Sequence, residues 1–110
     1  MIEEIIQSYL RENGFPCSMS VPENASGNFC VLEKTGSAYK DGLFAATLAV
    51  QSYGDSDYAA AQLSHRVVQT MLDADTLPEV VSCTLNTDYN YPDTTRKRPR
   101  YQAVFDLVHY

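Results

Sequence analysis

Two strand-length runs facing each other across one short connection close this chain, and they restrict the fold more than anything before them. The first, Glu79–Tyr89, carries Val80, Val81, Thr84 and Thr87. The second, Tyr101–Tyr110, alternates Ala103, Phe105 and Leu107 with Gln102, Val104 and Asp106. Between them lie a turn, residues 90–95, and a basic knot, Arg96-Lys97-Arg98-Pro99-Arg100. Alternation places every second side chain on one face of a strand, so the two runs predict a long antiparallel hairpin with a charged tip.

The rest of the chain supplies what such a hairpin needs to pack against. Ile2, Ile5, Ile6, Tyr9 and Leu10 recur at spacings of three and four, which predicts a helix over residues 2–13. Glu3 and Glu4 suit its positive end, and Asn13-Gly14 supplies a left-handed stop. Phe15–Val21 reads as a short strand, kept at an edge or a strand start by Pro16. A loop at 22–27 leads to a second strand, Phe29–Lys34, closed by Thr35-Gly36. Residues 37–42 read as a turn, with Asp41-Gly42 as the hairpin signal. The third strand, Leu43–Ser52, has Phe44, Ala46, Leu48 and Val50 on one side and Ala45, Thr47 and Ala49 on the other. So many alanines imply a helix laid closely over the sheet.

That helix begins after Gly54, with Asp55 or Ser56 as its cap, and buries Ala60, Leu63, Val67 and Met71. Asp73 and Asp75 would oppose the negative end of a helix, so it should stop near Leu72, leaving 73–76 as a turn and Pro78 at the exit. The resulting order, α-β-β-β-α-β-β, predicts one α+β domain over residues 1–110. A mostly antiparallel sheet of about five strands carries two helices and ends in the long hairpin. A chain of 110 residues can bury roughly two-thirds of its unfolded surface and needs no staples.

Motifs for chemistry are hard to find. The three cysteines, Cys17, Cys30 and Cys83, are odd in number and contain no C-x-x-C pair, which disfavours a disulfide framework or a zinc site. His65 and His109 have no neighbour at dyad spacing. Asp55-x-Asp57 and Asp73-x-Asp75 lack the further glycine and glutamate of a calcium loop, and capping explains both. The expectation is a protein that is not an enzyme, with no catalytic residue, no metal ligand and no cofactor. No apolar run approaches the ~20 residues of a membrane span, and the N-terminal residues are acidic rather than signal-like, so a cytoplasmic protein without membrane contact is expected.

Charge is unevenly spread. The net charge is −6, yet four of the eight basic residues sit in the knot, leaving four against fourteen acidic ones elsewhere. A body that negative disfavours general binding of nucleic acid. Tyrosine is abundant, eight residues with no tryptophan. Tyr89, Tyr91 and Tyr101 are expected to cluster beside Arg96, Lys97, Arg98 and Arg100. Tyrosine and arginine on a projecting loop make a candidate protein-interaction surface. Two other readings stand beside it: cross-strand tyrosine pairs under a merely solvated loop, and stacking of single-stranded nucleic acid. On the interaction reading, replacing the four basic residues with serine should leave the monomer folded and abolish assembly.

Three stretches carry a likeness to a known family. They are Tyr53-Gly54-Asp55-Ser56 leading into the helix Tyr58–Leu72, the run Asn86-Thr87-Asp88-Tyr89-Asn90-Tyr91-Pro92-Asp93, and Arg98-Pro99-Arg100-Tyr101-Gln102-Ala103-Val104-Phe105-Asp106-Leu107. With the order of elements, they resemble the tail terminator (tail completion, or minor capsid-type) proteins of long-tailed bacteriophages and prophages. The resemblance implies a virion protein assembled in the host cytoplasm. It would form a ring, usually hexameric, on the head-proximal end of the tail tube. Its partners would be further copies of itself, the tail tube protein and the head–neck connector protein, with DNA only as passing cargo. An acidic body suits a ring through which a duplex must slide. The rival readings are a head-completion or neck connector protein, and a small α+β ligand-binding regulatory module.

Overall fold

The computed structural model describes residues 1–110 as two layers, a five-stranded sheet with both helices on one face. Helix α1 (Ile2–Glu12) buries Ile2, Ile6 and Leu10, one turn apart, and carries Glu3 and Glu4 in its first turn. It ends because Gly14 adopts φ +89°, a conformation that side-chain-bearing residues resist. Helix α2 (Asp57–Met71) starts at Ser56, whose hydroxyl accepts a hydrogen bond from the Ala59 N–H at 3.0 Å. Its buried stripe is Ala60, Leu63, Val67 and Met71, as the spacing predicts. The Tyr9 hydroxyl donates to the Thr70 carbonyl at 2.7 Å and ties the two helices together.

The strands are β1 (Cys17–Ser18), β2 (Phe29–Lys40), β3 (Leu43–Tyr53), β4 (Val80–Asn90) and β5 (Arg100–His109). They lie in the order β1-β2-β3-β5-β4; β1 runs parallel to β2 and every other pairing is antiparallel. This is the α+β architecture that the pattern predicts, and β4 and β5 fall within a residue of their expected ends. Leu32, Leu48, Val50, Phe105 and Leu107 meet Leu10, Leu63, Val67 and Met71 between the layers. Each fully buried side chain of that size contributes about 1.5–3 kcal/mol before entropy is counted.

Three expectations need correction. The strand expected over Phe15–Val21 shrinks to Cys17–Ser18. Phe15 turns into the core, and the Pro16 carbonyl accepts from the Cys30 N–H at 2.8 Å. The second strand does not close at Thr35-Gly36 but runs on to Lys40, so residues 37–40 are strand rather than turn. Asp41 (φ +54°) and Gly42 (φ +83°) make a two-residue turn of the hand that matches strand twist, and Thr35 is accommodated as a bulge between Lys34 and Gly36. Phe44, expected on the buried side, is 44% exposed because this hairpin outruns the helices. It packs at a tilt against Tyr39 (centroids 4.7 Å) and stacks on His109 (5.4 Å) instead.

The sheet face opposite the helices is bare over most of its length. Pairing across the strands brings Ala38, Ala45, Val108 and Ser82 into one row, and Gly36, Thr47, Asp106 and Thr84 into the next. Glu33, Ala49, Val104 and Thr87 follow, then Val31, Gln51, Gln102 and Tyr89. The last row, Phe29, Tyr53 and Arg100, and Val31 beside it are covered, by the segment containing Val21 and Ala25 and by the loop between β4 and β5.

Candidate protein-interaction site

Pairs of aromatic rings and single guanidinium groups follow one another along and beside that last row. Tyr89 meets Tyr91 edge-on (centroids 5.7 Å), and the Arg100 guanidinium lies 4.4 Å from the Tyr91 ring and 5.6 Å from the Tyr53 ring. Tyr53 stacks on Phe29 at 4.6 Å with planes 10° apart, and Arg98 sits 5.6 Å above Phe29. Six side chains from β2, β3, β4, β5 and the connecting loop thus form one ladder. Guanidinium groups suit the faces of aromatic rings because their charge is delocalised and weakly hydrated.

Asp93 holds the loop onto this ladder. It is 4% exposed, and its carboxylate accepts from the Tyr53 hydroxyl (2.8 Å), the Arg96 N–H (3.1 Å) and the Arg96 guanidinium (3.2 Å). Arg100 lies 3.7 Å away and also donates to the Tyr53 hydroxyl at 3.1 Å. Burial by itself raises the Asp93 pKa; the hydrogen bonds from Arg96 and Tyr53 and the charge of Arg100 outweigh it and hold the group to about 2. Tyr53 is pushed up, by burial first and by its bond to Asp93 second. Paired backbone bonds between Asp93 and Arg98, both 3.0 Å, close a small hairpin in which Lys97 takes φ +53°.

The basic knot is therefore not a set of free surface charges. Arg98 donates to the carbonyls of Ala25 (3.2 Å), Gly27 (2.6 Å) and Gly54 (3.3 Å), stapling the loop after β1 to the end of β3. Arg100 donates to the Tyr91 carbonyl at 2.7 Å. Arg96 is half-exposed but paired with Asp93. Lys97 alone is exposed with no side-chain hydrogen bond or ion pair within the chain. The expectation that serine at all four positions would leave the monomer folded is corrected accordingly, since two of the four hold the loop in place.

Tyr89, Tyr91, Arg98 and Arg100 are brought together as the sequence predicts, and Arg96 and Lys97 flank them. Tyr101 is not part of the cluster. It pairs with Ser52 and Asn90 on the helix-bearing side, one residue out of phase with Arg100 and Gln102. Phe29, Tyr53 and Asp93 were missed. Their roles rest largely on long-range contacts: Phe29 meets Tyr53 and Arg98, and Tyr53 meets Asp93 forty residues on; only the Asp93–Arg96 bonds are local.

A depression of about 310 Å³ lies beside the ladder, lined by Val21, Asn24, Phe29, Arg96 and Arg98 among others. Both arginines there already donate to groups of the chain, so what they can offer a partner is shape and residual charge. The exposed elements are Tyr89 and Tyr91, 40% and 44% accessible, with Lys97 beyond them. Such a surface can bury aromatic area and attract an acidic neighbour. The thiols offer little chemistry: burial pushes Cys17 up to about 11 and Cys30 and Cys83 up to about 12. No protein-family model matches this chain, and no curated protein matches it.

Proposed function

We propose that this chain is a structural virion protein without catalytic activity, a ring-forming tail terminator. It would cap the head-proximal end of a phage tail tube, end tube growth and join the tail to the neck. The observation that carries the reading is the bare sheet face. Its exposed rows hold mostly small or neutral side chains; among the charges, Glu33 and Asp106 are negative and Lys40, at the tip of the β2–β3 hairpin, is the one cation. A ring lined by such a face would let a duplex pass without gripping its phosphates. The arginines at one end of that face are engaged with Asp93, backbone carbonyls and aromatic rings. The order of elements and the stretches quoted for the family likeness support the same reading.

The experiment is a tube-capping assay. Purified chain is added to polymerising tail tube protein from the same genome, and tubes are imaged by negative stain. Shorter tubes bearing extra density at one end are expected. Tubes of unchanged length with bare ends would overturn the proposal.

A further inference from the structure

Both margins of the sheet are unpaired, and their geometry points to what covers them. On one side β4 is hydrogen-bonded to β5 alone, and residues 84–90 are all exposed. On the other, β1 covers β2 only at Cys30 and Val31, leaving residues 33–40 exposed. Each margin presents a row of backbone N–H and C=O groups without partners inside the chain.

We propose that these two margins pair with each other, β4 of one copy against β2 of the next, so that the sheet runs on from subunit to subunit. Three observations carry this. The first is strand direction: β2, β3, β5 and β4 alternate, so β4 runs opposite to β2. A second copy related by rotation about an axis along the strands sets β4 beside β2 in antiparallel sense, and the ladder continues unchanged. An odd number of long strands would have given a parallel seam.

The second is height. Following the registers across the sheet, Val80 lies level with His109, Phe44 and Tyr39, and Asp88 lies level with Ala103, Val50 and Leu32. The open part of β2 is thus level with Val80–Thr87, so the exposed runs of the two margins coincide at Glu33–Gly36 and Thr84–Thr87 before any stagger that closure adds. Bulges interrupt β4 near Val81 and Asn86, but Ser82–Leu85 is regular and faces the level of Lys34–Ala38. Ser82 and Thr84 meet Ala38 and Gly36 there, with little side-chain bulk to hold the backbones apart.

The third is the composition of the β4 margin. Edge strands of monomers usually carry lysine or proline against unwanted pairing. Val80–Asn90 contains neither and exposes Val81 (42%) and Leu85 (38%), whereas the β2 margin keeps its lysines, Lys34 and Lys40, outside the small-residue run Gly36–Ala38. The seam joins two different surfaces of one chain, so it propagates and can close only as a ring. This deepens the ring reading and rests on it for closure, whereas the pairing is tested by itself.

The test uses two variants at exposed positions. Leu85→Lys with Thr87→Lys blocks the β4 margin; Ser37→Lys with Ala38→Lys blocks the β2 margin. Sedimentation velocity and negative stain should show wild-type chain forming rings as concentration rises toward millimolar, and each variant should associate more weakly by roughly tenfold or more. Mixing the two variants leaves one intact seam and should give a 1:1 dimer that grows no further. That dimer also establishes that both variants are folded. Wild-type chain that stays monomeric at millimolar concentration, a variant that forms dimers by itself, or a mixture that stays monomeric would each overturn the seam. Oligomers that survive both blocks would overturn the seam and leave the ring reading standing. Rings that depend on the seam but fail to cap tubes would do the reverse.

Discussion

The Tyr53 hydroxyl donates to Asp93 Oδ2 at 2.8 Å, joining the last residue of β3 to a loop forty positions later. Both side chains are buried, Tyr53 completely. Through this bond the loop between β4 and β5 folds back over the sheet, and its arginines meet the aromatic row.

Removing either partner should loosen the loop. Asp93→Ala leaves the Tyr53 hydroxyl without its acceptor and two arginines without their carboxylate, and it should cost about 2–4 kcal/mol. Tyr53→Phe keeps the ring stack and should cost about 1–2 kcal/mol. Urea unfolding of both single variants and the double variant measures their coupling, and additive losses would contradict the arrangement.

The same carboxylate makes stability depend on acid. Asp93 is held to about 2, below its ordinary 3.8. Its contribution is therefore complete above the unfolded value and is lost as pH falls toward the folded one. The stability gap between wild type and Asp93→Asn should be widest near neutrality and narrow as the solution approaches about pH 2. Thermal melts across that window measure the gap; a constant gap would show that the carboxylate's charge is not involved.

Arg98 and Lys97 are neighbours with opposite expectations. Arg98→Ser abandons three carbonyl acceptors, Gly54 buried and Ala25 and Gly27 partly so, and should cost about 2–3 kcal/mol. Its 3.4 Å contact with exposed Asp55 adds little. Arg98→Lys should not restore the loss, because one ammonium cannot reproduce the guanidinium fork. Lys97→Ser should leave stability within about 0.5 kcal/mol of wild type. Equal melting temperatures for Arg98→Ser and Lys97→Ser would refute the staple.

Gly54 lies in close contact with the start of α2. A Cβ there would lie 2.5 Å from the Ala60 nitrogen and 2.9 Å from the Ala59 carbonyl carbon. Gly54→Ala should therefore destabilise by about 1–3 kcal/mol through overpacking at the start of α2. Calorimetry reads this directly, and a neutral or stabilising result would mean the helix can shift without loss.

The cysteines should be silent until the chain unfolds. Alkylating reagent at mildly alkaline pH should leave Cys17, Cys30 and Cys83 unmodified in the native protein and label all three in urea, as intact mass would record. Their folded pKa values, raised to about 11, 12 and 12, lie above the unfolded value near 9.0. Stability should hold below that value and fall as pH rises through it. Rapid native labelling of Cys30 would disprove its burial.

The helices and the main strands were legible because each rests on a period visible within one turn or a few alternations. Ile2, Ile6 and Leu10 announce α1, a cap at Asp55 or Ser56 and a stop near Leu72 bracket α2, and the alternation from Ala103 to Leu107 places β5. Where two weak signals competed, the shorter-range one misled. Thr35-Gly36 resembles a turn, yet Asp41-Gly42 sets the reversal, because strand pairing absorbs one bulge more readily than it forgoes several ladder bonds.

Amphipathic periodicity and capping chemistry, which act between near neighbours, were enough to determine an α+β domain with a terminal hairpin and to gather Tyr89, Tyr91 and Arg100 at its base. What the arginines do was decided only by tertiary structure. Arg98 and Arg100 find carbonyls, rings and a carboxylate contributed by segments that fold beside them from far along the chain. Charge in a sequence has no partner until packing supplies one, and burial determines whether a cation holds its own fold together or meets a neighbour.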